Sequence, residues 1–196
     1  MEKSIDYVRK RIKNSLSVKE EIYQDEKILH TIWEVSQAIV GCFKQGGKVL
    51  LCGNGGSAAD AQHIAAELSG RFYLDREPLF AEALHVNTSY LTAVANDYSF
   101  EEVYSRLVKA KGKTGDVLIG ISTSGNSKNV INAIQTANEL GMITIGLTGR
   151  TGGKMANLCK YVLKVPSEDT PTIQEAHIMI GHIVCDLVEK ALFQND

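Results

Sequence analysis

The chain has 196 residues, 44% of them hydrophobic and 22% charged, with a formal net charge of -2. That is enough apolar material for one sizeable folded domain, and it excludes a disordered chain. The balanced charge argues against bulk nucleic-acid binding, and no apolar run approaches the roughly 18 residues that span a bilayer, so neither nucleic acid nor membrane is an expected partner.

Residues 1–45 read as helical. The first fifteen, MEKSIDYVRKRIKNS, are charged and lack the apolar stretch of a secretory signal. Further on, Ile28, Ile32, Val35, Ile39 and Phe43 fall on one helical stripe that ends at Gly46-Gly47. Short β-branched runs then alternate with helical patterns. Strands are expected at 48–52, within 79–86, at 116–122, at 142–148 and at 161–165. Helices are expected from Ser57, over Ser127 to Leu140, near Lys154, and from Pro171 to Phe193. Continuous apolar strands are the mark of a parallel sheet buried on both faces. Alternation of strand and helix then implies a doubly wound α/β sandwich, with ligands at the C-terminal ends of the strands. Two units are expected: a helical segment over 1–45 that packs on the core or on a partner subunit, and an α/β domain over 46–196. Cys42, Cys52, Cys159 and Cys185 show no metal-type spacing and read as free thiols in a reducing cytoplasm.

Three loops meet at that edge: GNGGS (53–57), STSGNS (122–127) and TGRTGGK (148–154). The first lets the backbone approach a ligand closely. Ser57 and Asp60 are spaced as a capping box, and the helix behind them offers free N–H groups to an anion. The second clusters Ser122, Thr123, Ser124 and Ser127, whose hydroxyls suit a phosphate monoester held by neutral donors. His63 and Glu67, four residues apart, share one face of the first helix. Such a pair is commonly a surface contact; it can also bind a divalent metal or move protons. On the last helix His177 and His182 stand about 140° apart, so they cannot serve one site, and one of them is expected to rest on a backbone carbonyl. Gln174 and His182 are on the same side but about 12 Å apart along the axis. Helical phase alone pairs the neighbouring Glu175 with His182.

Five stretches, CGNGGSAADAQHIAAELSGRF, TAVANDYSF, GDVLIGISTSGNSKNV, LTGRTGGKM and VPSEDTPTIQEAHIMIGH, together resemble the phosphoheptose isomerases of the SIS (sugar isomerase) domain family. The resemblance runs in order from about residue 28 to 190. It implies a five-stranded parallel sheet sandwiched by helices, flavodoxin-like, with an N-terminal helical extension, assembled as a homotetramer with interfacial active sites. It implies conversion of sedoheptulose 7-phosphate to D-glycero-D-manno-heptose 7-phosphate, on the route to surface polysaccharide. Carried over position by position, the substrate would meet Asn54, Gly55, Gly56, Ser57, Glu67, Asn96, Asp97, Ser122, Thr123, Ser124, Ser127 and Gln174. Zinc would be held by His63, Glu67, Gln174 and His182, with Glu67 and His182 as acid–base groups. Many relatives have arginine just before IQE, where this chain has Thr172. The competing expectation is a non-catalytic SIS module of the kind that associates with a replication initiator.

Overall fold

The computed structural model describes residues 2–194, so positions 1, 195 and 196 at the ends of the two expected units lie outside it. The N-terminal segment is two helices, α1 (Glu2–Gln24) and α2 (Glu26–Lys44), where the sequence pattern suggested one continuous stretch. The break is at Asp25. Its backbone is extended and its carboxylate accepts the N–H groups of Lys27 and Ile28, so it caps α2.

Five parallel strands follow: β1 (Val49–Gly53), β2 (Ala81–Ala83), β3 (Val117–Ser122), β4 (Ile143–Thr148) and β5 (Tyr161–Lys164). Their order in the sheet is β2-β1-β3-β4-β5, the flavodoxin-like arrangement. β1 and β3 are buried at every position, as their continuous apolar runs require. Between the strands lie α3 (Gly56–Ser69), α4 (Thr88–Asp97), α5 (Val103–Lys111) and α6 (Lys128–Glu139), and α7 (Thr170–Phe193) closes the chain. The sequence pattern assigned no helix over 88–111, where α4 and α5 lie; both are short, and α4 buries only Val94. The element near Lys154 is a 3-10 turn over Gly153–Asn157.

One core lies between the sheet and α2, α3 and α7; the other lies between the sheet and α4, α5 and α6. The stripe on α2 belongs to the first core. Ile32, Val35 and Ile39 are buried, and Ile28 and Phe43 pack against them. Of the two alternatives for this segment, the α2 stripe packs on the chain's own core. The unpartnered apolar face is on α1 instead, where Ile5, Val8, Ile12, Leu16 and Tyr23 are exposed at helical spacing.

Candidate active site

The C-terminal ends of β1 and β3 deliver the two ligand loops side by side, because Gly53 pairs with Ile121 one residue before Ser122. Gly55 takes a positive φ of 55° and is the N-cap of α3, which has no side-chain capping bond. The capping box expected from Ser57 and Asp60 is therefore not formed. Ser57 is buried inside the first turn, and Asp60 Oδ2 has no hydrogen-bond partner. Burial pushes the Asp60 carboxyl up to about 6, against the nearby His63. No side chain caps the start of α3; the Ser57 and Ala58 N–H groups donate to the Asn54 and Gly55 carbonyls of the glycine loop at 3.0 Å.

Asn54 and Asn129 exchange two amide hydrogen bonds of 2.9 Å, tying the glycine loop to the first turn of α6. Tyr104 donates to the Gly53 carbonyl at 2.5 Å. Sequence reasoning missed both. The signal at Asn129 is a polar residue in the buried register of Ala133 and Ala137. Because its amide is engaged there, Asn54 would meet a ligand through its backbone.

In the serine loop, Ser122 Oγ lies 2.9 Å from Ser127 Oγ and 3.4 Å from Ser124 Oγ. Ser127 is the N-cap of α6 but makes no capping bond, since its hydroxyl faces Ser122. Three hydroxyls and an uncapped helix start thus converge, with no cation from the loop itself: Lys128 turns out to Glu101 at 2.8 Å. Gly125, at φ 65°, abuts the carbonyl of Gly152, so a side chain there would strike the third loop. Thr123, Ser124, Asn126, Arg150, Thr151 and Glu168 line a cavity of about 290 Å³ beside it. Asn96 and Asp97 end α4, exposed and bonded to each other at 2.9 Å.

α3 and α7 pack in the same direction. Gly181 makes this possible, because a Cβ there would meet Ile64 at 2.6 Å. The close approach brings His63 Nε2 within 3.0 Å of His182 Nε2 and 3.1 Å of Glu67 Oε1. Among the described residues, these three form the one group of histidine, cysteine or acidic ligand atoms, all within 4.8 Å of one another, that could hold a metal. Gln174 sits at the other end of this contact. Its carboxamide fills the space a Gly56 side chain would take. It is two turns of α7 from His182, about 12 Å along the axis. Glu67 and His182 thus meet within one chain.

The other polar residues of α7 are accounted for. His177 is fully buried with Nε2 3.1 Å from the Thr148 carbonyl, the backbone partner expected for one of the two histidines. Glu175 faces α1, where its carboxylate accepts from Ser15 and lies 3.6 Å from Lys19. That removes it from the His182 site favoured by helical phase alone. Thr172 is buried and donates its hydroxyl to Asp169 at 2.6 Å, part of the α7 cap. Arg11 of α1 supplies a cation to the same carboxylate at 2.8 Å.

Comparison with known proteins agrees with this architecture. A family model for the SIS domain matches residues 12–149. The chain is 55% identical over 190 residues to a phosphoheptose isomerase of Aneurinibacillus thermoaerophilus, covering 97% of this chain and 96% of that protein. The solved phosphoheptose isomerase of Neisseria gonorrhoeae superposes with a TM-score of 0.89 at 44% identity, covering 94% of this chain and 98% of that one. That of Francisella tularensis superposes at 0.91 with 37% identity, covering 95% and 98%. With sheet order, ligand loops and the His63–Glu67–His182 group all in place, the chain belongs to the phosphoheptose isomerase family of SIS-domain proteins.

Proposed function

We infer that this protein is an aldose–ketose isomerase that converts sedoheptulose 7-phosphate to D-glycero-D-manno-heptose 7-phosphate. The observation that carries this is the meeting of Glu67 with His63 and His182 in a chain that also presents an uncapped serine loop. The reaction changes carbons 1 and 2, while the phosphate is on carbon 7. The substrate therefore needs two sites a sugar's length apart: donors for an anion, and groups that move a proton. The cluster lies about 10 Å along α3 from the glycine loop, as such a division requires.

Glu67 is placed to take the proton from carbon 1 and return it at carbon 2. His182 is placed to serve the oxygen that alternates between carbonyl and hydroxyl. The enediol(ate) between these steps carries charge on two adjacent oxygens. The donor set fits a divalent ion, because two imidazole nitrogens and a carboxylate oxygen lie within 4.8 Å, and zinc takes that chemistry. His63, Glu67 and His182 would hold zinc, which when bound supplies positive charge beside the enediol oxygens. Gln174 is the proposed fourth ligand. Since it stands two turns away in its own chain, it would come from a neighbouring copy. This supports a homotetramer with interfacial sites, as does the exposed apolar face of α1. Four free thiols, three of them buried, support a reducing cytoplasmic setting.

The direct test is incubation with sedoheptulose 7-phosphate in deuterium oxide. The expected product is the heptose 7-phosphate with deuterium at carbon 2. No aldose phosphate from metal-replete protein would overturn the assignment. The non-catalytic reading is not favoured, because the full proton-transfer group is present; capture of a replication initiator by a chain without isomerase activity would reinstate it.

A further inference from the structure

A buried ion pair lies behind the reacting cluster and has no part in the proton transfers above. The loop from Gly70 to Pro78 joins α3 to β2. Glu189 of α7 is 1% exposed, and its carboxylate accepts four hydrogen bonds from this loop. They come from the N–H groups of Phe72 (3.1 Å), Tyr73 (2.7 Å) and Leu74 (2.9 Å), and from Arg76 Nε (2.9 Å). Burial alone would raise this carboxyl; the three N–H groups and Arg76 outweigh it and hold Glu189 below the ordinary range.

The Arg76 side chain is 3% exposed. Its remaining donors go to the carbonyls of Glu67 (3.0 Å), Leu68 (2.9 Å), Glu77 (3.1 Å) and Gly70 (3.4 Å). Arg76 therefore ties down the last turn of α3, including the backbone of Glu67 itself. The loop held by Glu189 in turn places the Phe72 ring 5.8 Å from the His182 ring, at 32° between planes. A buried ion pair adds little net stability over apolar packing of the same volume. What it adds is direction: eight donor–acceptor contacts admit one loop conformation, where an apolar plug would admit several.

We propose that Arg76 and Glu189 are positioning residues for the isomerase, locking the 70–78 loop so that Phe72 orients the His182 ring and the last turn of α3 orients Glu67. This rests on the reading of His63, Glu67 and His182 as the reacting cluster. Neither Arg76 nor Glu189 touches substrate; both act through Phe72 and the α3 backbone.

Three variants test it: Arg76→Lys, Glu189→Gln and Phe72→Leu. Phe72→Leu leaves the ion pair intact and removes only the ring beside His182. The first readout is the NMR signal of the His182 ring in metal-free, histidine-labelled protein, which carries the ring-current shift of Phe72. The second is kcat and KM with sedoheptulose 7-phosphate. Arg76→Lys and Glu189→Gln are expected to move the His182 signals in the direction that Phe72→Leu moves them. Each should lower kcat by about 10- to 100-fold, the scale of a misplacement near 1 Å, with KM changed less than about twofold. Unmoved His182 signals, an unchanged kcat, or a KM that rises as kcat falls would overturn the proposal. If the two ion-pair variants do not fold, Phe72→Leu decides by kcat and KM alone: a fall in kcat with KM little changed supports the clamp, and wild-type kcat overturns it. Failure of the wild-type chain to isomerise the sugar would instead strike the functional reading, and the His182 signals would still report on the clamp.

Discussion

Glu67 and His182 differ from the other polar side chains of α3 and α7 in what they face: each other and His63, with no backbone partner to satisfy them. Glu67→Gln keeps the shape and removes the base. Turnover is expected to fall at least ~100-fold with the fold intact; near wild-type turnover in a metal-replete assay would refute the role. On the proposed reading the serine loop would hold the unreacting end of the substrate, so its contribution would be nearly equal in ground and transition states. Ser124→Ala should raise KM more than it lowers kcat. Asn129→Leu breaks the amide pair that joins the two loops, and it should likewise raise KM, by about 10-fold for the loss of two buried hydrogen bonds. Isothermal titration with the sugar phosphate checks both variants, and affinity at the wild-type level would count against the assignment. The serine loop was legible in the sequence because hydroxyls after a strand form a local pattern. Asn129 was not, because its partner lies 75 residues away.

At the scale of an element, α7 carries a titratable side chain in a fully dry position. Burial holds His177 down to about 4, although its bond to the Thr148 carbonyl works the other way. The unfolded chain takes up this proton near pH 6.5, so between about 6.5 and 4 acid stabilises the unfolded state and the native fold loses stability. The full loss from this one residue is on the order of 3 kcal/mol. Asp60 has the opposite sign. Its native carboxyl, raised to about 6, binds a proton before the unfolded one does, so metal-free protein gains stability from it as pH falls through 6. The two windows overlap, and the wild-type curve should be shallow. His177→Gln removes this loss and keeps the Asp60 gain, so between pH 6.5 and about 5, above the range where the depressed carboxyls of Glu189 and Asp169 begin to cost stability, its curve should rise relative to the wild type's. Urea midpoints across that range test this, and parallel curves for the two proteins would contradict it. The orientation of α7 is also what divides its polar residues: 3.6-residue geometry separates His177 from His182, and only packing shows that Glu175 belongs to α1.

At the scale of the whole molecule, the unpartnered surface is the α1 face of Ile5, Val8, Ile12 and Leu16, extended by Tyr23. A row of this kind on a 23-residue helix is the sort of exposed apolar patch that marks an interaction surface. We expect Ile12→Glu combined with Leu16→Glu to reduce the assembly mass by light scattering, with activity falling alongside. A wild-type mass equal to one chain, at full activity, would overturn the tetramer. Because Glu67 and His182 meet within one chain, mixing variants of those two residues should restore nothing. Glu67→Gln co-assembled with Gln174→Ala should regain part of the activity if Gln174 crosses the interface, and no regain in a proven tetramer would place it with its own chain.

The strands and their class follow from the sequence, since β1 and β3 are apolar throughout and strand alternates with helix at local spacing. The ligand loops follow too, because glycine and serine act through their own backbone geometry and hydroxyls. Other features required the tertiary structure. The cap of α3 lies at Gly55 rather than Ser57, because the helix already starts at Gly56 and takes Ser57 into its first turn. The α2 stripe turned inward because α7 and β5 were there to receive it. His63 and Glu67 became more than a surface pair only when Gly181, lacking a side chain, let α7 approach α3 closely enough to add His182. Periodicity assigns a residue to a face of its own element; which other element meets that face depends on contacts more than a hundred residues apart, and no local pattern carries them.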